Sequence, residues 1–260
     1  MLVYSQLFLS TRNSGLGTYC LTSIVEQHQS KNWTMVPLEQ IFTEIDAHHY
    51  HELCNDPTAI EAIEKHHGRK LPDDLKTFYW RYKTVKLFDS EYGATYRFVP
   101  VGEIHPTRID IFGEDTDEWG PSTWLTICDV LDGNYIAIDI DSKEDKEYNY
   151  IDCFHETFAE PGECKVVAKS FTELLRRALS GVGNIAYYLQ NDFAGYGDAR
   201  PLTPENAAIR IGNPEARRKG WLVKFTFKGI PHHKLFADDD YGGKEQSFEA
   251  VRRYIEETIK

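Results

Sequence analysis

The sequence predicts an α+β protein: a sheet flanked by helices, followed by a small three-stranded sheet packed on one helix. Segments with helical periodicity follow segments with strand-like alternation along residues 35–190, and this pattern predicts the larger domain, the sheet flanked by helices. Residues 191–208, which contain several Gly and Pro, predict a linker to a second alternating segment at residues 209–260. Residues 1–34 are polar and aperiodic, so we interpret them as a tail or a mis-assigned start, with Met35 as the candidate first residue.

Two helices are predicted near the start of the large domain. Thr58 and Glu61 have the spacing of a capping box, and Gly68 is placed to end that helix. Pro72 suits the first position of the second helix. The apolar residues of this second helix are spaced at i, i+3, i+4 and i+7, which places them on one face: Leu75, Phe78, Tyr79 and Tyr82.

Strand candidates fill most of the remaining large domain. Asp132-Gly133-Asn134 is typical of a turn, and the apolar segments on either side of it predict a hairpin. Ser170 and Glu173 form a second capping box, which begins an amphipathic helix that Gly181 ends. The predicted strands are residues 96–101, 124–130, 135–138, 148–154 and 165–168.

Five motifs of the large domain follow one another in a characteristic order. They are Ile60-x-x-Ile63-Glu64-x-x-x-Gly68-x-x-Leu71-Pro72-x-Asp74-x-x-x-Phe78, Phe98-Val99-Pro100-Val101-Gly102-Glu103-Ile104, Asp132-Gly133-Asn134-Tyr135-Ile136-Ala137-Ile138-Asp139, Phe154-His155-Glu156 and Ser170-Phe171-x-x-Leu174-Leu175. Over about residues 57–180 this series resembles the SUKH superfamily, whose best-known members are the yeast Knr/Smi cell-wall regulators. The resemblance implies a mixed or antiparallel sheet flanked by helices. It also implies a binding role, because many bacterial relatives are immunity proteins that neutralise toxins, often nucleases.

Charge is divided unevenly along the chain, whose net charge is −12. Residues 206–260 hold 11 Lys and Arg against 8 Asp and Glu, which leaves 18 basic and 33 acidic residues for the rest. An acidic body attracts basic partners, so we expect a basic protein partner, which the SUKH resemblance implies is a toxin or nuclease. The candidate contacts in the two acidic runs are Glu114, Asp115, Asp117, Glu118, Asp139 and Asp141. Each run taken alone also fits an ordinary solvated loop.

The last segment has the pattern of a small sheet with one apolar face, because Trp221, Val223, Phe225 and Phe227 occupy alternate positions. Three features resemble the bacterial form of the APETALA/ethylene-response-factor (ERF) DNA-binding domain. They are Gly220-Trp221-Leu222-Val223-Lys224-Phe225, the Tyr241-Gly242-Gly243 break and the helix at residues 247–258. The resemblance implies a three-stranded sheet on one helix, with Ile209-Arg210-Ile211 as the candidate first strand and double-stranded DNA as a partner.

The outward residues of this small sheet are candidate DNA contacts. A β-ribbon fits the major groove, where Lys and Arg can reach phosphates and guanine edges. The candidates are Arg217, Arg218, Lys219, Lys224, Thr226 and Lys228. A solvated lysine face is the other interpretation of the pattern, and the adjacent acids 238–240 would repel phosphate if they faced the same way.

Neither a catalytic site nor a metal site is predicted, and we expect no cofactor. His48, His49, His51 and Cys54 are the densest group of metal-ligand residue types, but only two of them could share a helix face. The sequence contains no G-x-S-x-G, P-loop or H-E-x-x-H motif. Five cysteines without a C-x-x-C pair, no apolar run of membrane length and no secretory signal indicate a cytoplasmic protein without membrane contact.

Two functions stay open from the sequence. The first is a non-enzymatic protein-binding domain of the SUKH family, acting as an immunity protein or a regulatory scaffold, with an appended DNA-binding-like module. The alternative is a DNA-binding transcriptional regulator that uses the C-terminal module.

Overall fold

The structure, a computed structural model, describes residues 37–91, 93–144, 147–181, 185–190, 193–212 and 218–260, without the side chains of Glu118, Lys143 and Glu144. The predicted tail, the candidate start at Met35 and the DNA-contact candidate Arg217 therefore lie outside the described residues. All described residues fall within one compact unit, Trp33–Lys260.

The large sheet has seven antiparallel strands, and each strand pairs with the next one along the chain. The predicted α+β class is confirmed, and the sheet is antiparallel rather than mixed. The predicted hairpin around Asp132-Gly133-Asn134 is also confirmed. The strands are β1 (Tyr50–Leu53), β2 (Tyr82–Ser90), β3 (Gly93–Phe98), β4 (Trp124–Asp129), β5 (Tyr135–Glu144), β6 (Glu147–Cys153) and β7 (Val166–Ala168).

Helices cover one face of this sheet with a single large hydrophobic core. Phe78 lies near its centre and makes ring contacts with Phe42, Phe98 and Phe171, which come from three different elements. The helices of this face are α1 (Leu38–His48), α2 (Ala59–His67), α3 (Asp73–Arg81) and α5 (Phe171–Ser180), while α4 (Thr107–Phe112) contacts β4.

The two predicted capping boxes have different outcomes. At α5 the Ser170 hydroxyl accepts a hydrogen bond from the Glu173 backbone N–H at 3.1 Å, as predicted. The predicted box at Thr58 is wrong, because Thr58 holds the N-cap position of α2 but its side chain makes no capping hydrogen bond. Its hydroxyl instead donates to Asp56 Oδ1 at 2.7 Å, in a local turn ahead of the helix.

The described residues cover part of the opposite face of the large sheet. A second cluster, which includes Trp124, Ala137 and Ile151, lies under the loop of residues 154–164, which contributes Phe158 and Ala159. Residues 196–200 run beside this loop and β7, where the Val166 N–H donates to the Gly197 carbonyl at 2.9 Å. The predicted linker is therefore hydrogen-bonded to the large domain along these residues.

The small sheet has its own hydrophobic cluster, in which Val223, Phe225 and Phe236 pack against Val251 and Ile255. The predicted alternation is confirmed, since these side chains face the last helix. Its strands lie in the order β10-β9-β8. The elements are α6 (Pro204–Ala207), β8 (Ala208–Ile211), β9 (Gly220–Phe227), β10 (Ile230–Ala237), α7 (Asp238–Tyr241) and α8 (Lys244–Thr258).

Candidate protein-binding surface

Two exposed aromatic rings lie at the ends of the first predicted acidic run. Phe112 ends α4, and Trp119 ends a short 3-10 turn, Asp117–Trp119. Their rings stack with centroids 4.5 Å apart and an interplanar angle of 27°. Phe112 is 38% exposed and Trp119 is 40% exposed. Together with Glu114, Asp115 and Asp117 they form what we call the acidic–aromatic patch.

The patch rests on buried aromatic rings. The Phe158 ring lies 6.0 Å from that of Phe112 and 5.9 Å from that of Trp124. Gly120 follows Trp119 with a φ of +105°, and a Cβ placed there would lie only 2.8 Å from the Ala159 Cβ. Glycine is therefore required at this position, both for its backbone conformation and for the close approach of the two loops.

A buried arginine fixes the shape of the acidic loop. Arg108 is only 4% exposed. Its Nε donates to Asp115 Oδ1 at 2.6 Å, and its Nη1 donates to Asp117 Oδ1 at 2.9 Å and to the Gly120 carbonyl at 2.7 Å. Burial opposes the charge of Arg108, but the hydrogen bonds to Asp117 and Asp115 outweigh it and raise the pKa of the guanidinium. The Asp117 side chain is still 97% exposed, so it remains accessible to a partner.

Helix α4 is held against β4 by polar contacts beneath the patch. Asp110 accepts a hydrogen bond from the Thr126 hydroxyl at 2.5 Å and lies 2.9 Å from His105 Nε2. The Thr107 hydroxyl donates to the Trp124 carbonyl at 3.1 Å. These contacts position Phe112 at the end of α4, so the exposed ring pair is carried by a fixed support.

The acidic residues of the second predicted run, which lie on β5, bind other side chains of the large domain. Asp139 accepts hydrogen bonds from the Thr123 and Trp124 side chains, and burial raises the pKa of its carboxyl. Asp141 instead pairs with Arg69 Nε at 2.5 Å, which ties β5 to the segment after α2. Asp139 thus contacts the aromatic support of the patch, whereas Asp141 is directed to another part of the domain.

The structure brings together only part of the predicted protein-contact set. Glu114, Asp115 and Asp117 lie in one loop, and the side chain of Glu118 is outside the described residues. The prediction from sequence missed Phe112 and Trp119. A signal for them exists, because each aromatic residue precedes a glycine, Gly113 or Gly120, and the acidic run lies between the two pairs.

The candidate DNA contacts of the small sheet are largely engaged within the chain. Lys224 Nζ lies 3.1 Å from Glu160 Oε1, and the Thr226 hydroxyl donates to Glu160 Oε2 at 3.0 Å. Arg218 lies 3.5 Å from Asp240. Lys219 is exposed beside this pair, and Lys228 lies over the Phe227 ring at the β9–β10 turn.

Among the described residues, no group of three or more His, Cys, Asp or Glu side chains is arranged to hold a metal ion. Within the predicted His/Cys group, His51 Nε2 lies 3.7 Å from Asp46. The helices of the described ranges are all too short or too polar to cross a bilayer.

Comparison with known proteins places the chain in a family. Residues 55–177 match the SMI1 / KNR4 family (SUKH-1). The chain is also 32% identical over 146 residues to "Immunity protein YokJ" of Bacillus subtilis (strain 168), across 54% of this chain and 82% of that protein. The chain belongs to the SMI1 / KNR4 family (SUKH-1). The predicted SUKH resemblance is therefore confirmed.

The SUKH-1 match contains the whole acidic–aromatic patch, since both Phe112 and Trp119 lie within residues 55–177. It ends before β8, so the small sheet lies outside the matched region. The ERF resemblance of residues 209–260 stays a prediction.

Proposed function

We propose that this SUKH-1 protein is a non-enzymatic, cytoplasmic immunity protein that binds a basic toxin through the acidic–aromatic patch. The observation that carries the proposal is the stacked, exposed pair of Phe112 and Trp119 beside carboxylates that Arg108 holds in place. Exposed aromatic anchors surrounded by charged residues are typical of protein-binding hot spots. The name of the related Bacillus subtilis protein supports an immunity role.

Electrostatics supports a basic partner. The chain has a net charge of −12, and the loop 113–118 adds a local concentration of carboxylates. Such a surface accelerates the encounter with a positively charged protein and disfavours acidic competitors. Three buried free thiols, Cys128, Cys153 and Cys164, suit the reducing conditions of the cytoplasm.

The decisive experiment measures binding to, and protection against, a toxin candidate encoded beside the gene of this protein. Trp119→Ala should weaken binding by about 2 kcal/mol, roughly thirtyfold, and reduce growth rescue in a co-expression assay. Trp80→Ala is the matched control, because Trp80 is 48% exposed on α3 and is not part of the patch. Equal affinities for the two variants would refute the patch, and a candidate that is neither bound nor neutralised would refute the immunity role for that pair.

A charge variant tests the electrostatic part of the proposal. Glu114→Lys should lower the association rate by about tenfold at low salt, with a smaller effect at high salt. Glu61→Lys, an equal charge change on α2, should have a much smaller effect. An equal decrease for both variants would mean that net charge alone, and not the patch, attracts the partner.

A second candidate function is duplex DNA binding by the small sheet. The β9 register favours it, because Lys224 and Thr226 alternate with the residues that face α8 and so share the outer face. Binding of a 20-base-pair duplex by the full chain should weaken steeply as salt rises. Absence of binding at low salt, with the protein folded, would contradict this candidate.

A further inference from the structure

One carboxylate of the large domain occupies the outer face of the small sheet. Glu160 is 15% exposed, and each of its carboxylate oxygens binds a different side chain of β9. Oε1 lies 3.1 Å from Lys224 Nζ, and Oε2 accepts a hydrogen bond from the Thr226 hydroxyl at 3.0 Å. We call this three-residue contact the Glu160 clasp.

A second contact holds the same two regions together. Arg200 donates from Nη1 to the Ala159 carbonyl at 2.7 Å and from Nη2 to the Asn206 carbonyl at 3.2 Å. It therefore bridges the loop 154–164 and helix α6, which leads into β8. Because Ala159 immediately precedes Glu160, the arginine fixes the backbone that presents the clasp to β9.

We propose that Glu160 is an internal competitor for polyanions on the small sheet, so that a nucleic-acid phosphate can reach Lys224 and Thr226 only after Glu160 has left them. This inference rests on the second candidate function, duplex binding by the outer face. Lysine ammonium and threonine hydroxyl groups are common donors to phosphate oxygens, and a carboxylate offers them the same kind of acceptor. The clasp would thus keep this face closed while the small sheet is docked on the large domain.

The geometry gives the competitor an advantage over a ligand from solution. Glu160 is held within the chain, so its local concentration at Lys224 is far above that of any free ligand. The advantage of Glu160 over a free ligand is small in energy, because Lys224 remains 61% exposed and an exposed ion pair is only weakly stabilising. A duplex that engages several further cations can therefore displace Glu160, and the clasp acts as a threshold for binding.

The test compares full-length variants in duplex binding at low salt, followed by fluorescence anisotropy of a labelled 20-base-pair DNA. Glu160→Gln should tighten binding by about three- to tenfold, since it removes the charge of the competitor. Glu163→Gln is the matched control: it makes the same charge change three residues further on, at a half-buried position outside the clasp, and should leave the affinity nearly unchanged. Thermal unfolding of each variant verifies that it is folded.

A second substitution separates competition from a general gain in positive charge. Lys224→Ala should weaken duplex binding of the Glu160→Gln variant but hardly affect the natural chain, in which Lys224 is already engaged. Equal affinities of the natural chain and Glu160→Gln would overturn the clasp as a competitor and leave duplex binding standing. No binding by any folded variant would overturn the second candidate function and the clasp's proposed role with it.

Discussion

The two sheets of this protein bury their strands in different ways. In the large sheet, central strands are covered on both faces, so Ile136 and Ala137, adjacent on β5, belong to different hydrophobic clusters. The small sheet is covered by α8 on one face, and on the other face Glu160 of the large domain contacts the polar side chains Lys224 and Thr226 of β9. Residues that are not needed for a hydrophobic core are free to bind partners, and they lie on a loop beyond the large sheet and on the outer face of the small one.

The largest expected effect tests whether the two sheets are independent in stability. Phe225→Ala removes a 1% exposed ring that stacks on His232 at 4.7 Å, so it should cost about 3–5 kcal/mol in the small sheet. Amide hydrogen exchange should rise in β8–β10 and α8 and stay low in β4–β6. Phe78→Ala is the counterpart for the large core, and it should raise exchange in the large sheet rather than in the small one. Equal increases in both sheets after Phe225→Ala would mean that the protein unfolds as one cooperative unit.

The next effect concerns Asp152, a half-buried carboxyl on β6 of the large sheet. Burial raises the pKa of Asp152 to about 6, and nearby Lys165 only partly offsets it. Between about pH 4 and pH 6 the folded state therefore binds a proton that the unfolded state has already released. The stability that this bound proton contributes is fully present below pH 4 and is lost as the pH rises through 6. Asp152→Asn should raise the free energy of unfolding by up to about 3 kcal/mol at pH 7, with the gain vanishing below pH 4. Chemical denaturation at several pH values measures this, and a pH-independent difference would contradict the assignment.

A smaller loss of stability is expected when the arginine that fixes the acidic loop is replaced. Arg108→Gln removes the hydrogen bonds to Asp115, Asp117 and Gly120, so it should cost about 2 kcal/mol and loosen the acidic loop. Trp119 fluorescence should report a more exposed indole. Arg69→Gln is the control, since Arg69 and its partner Asp141 are both largely exposed, and it should leave the stability nearly unchanged. A stable Arg108→Gln variant with an unaltered Trp119 signal would show that the loop holds its shape without the arginine.

Much of the fold could be predicted because its signals are local. The Asp132-Gly133-Asn134 turn and the alternation along β9 depend on residues a few positions apart, and the structure follows both. The wrong capping box at Thr58 has a local cause too, since Thr58 has helical backbone angles and the Glu61 N–H donates to its backbone carbonyl at 3.1 Å rather than to its hydroxyl. Competition of this kind is decided by small energy differences that a motif does not contain.

The candidate sites were harder to predict because they join distant parts of the chain. Arg108 looks like a surface residue in the sequence, and only the fold of the loop after it makes it buried. Asp139 and Asp141 are near neighbours, yet one contacts Trp124 and the other Arg69. Glu160 and Lys224 meet across 64 positions, with no shared motif to connect them.

The smallest expected effect tests the contact that joins the two regions. In a double-mutant cycle of Glu160→Gln and Lys224→Ala, the coupling in unfolding free energy should be about 0.5–1 kcal/mol, the usual range for a largely exposed pair. Glu163→Gln with Lys224→Ala should give no coupling, because Glu163 is not part of the clasp. If the first cycle is also zero, the sheets touch without mutual stabilisation. A coupling above 2 kcal/mol would instead indicate that Glu160 and Lys224 are buried in a core shared by the two sheets, because only a desolvated pair couples so strongly.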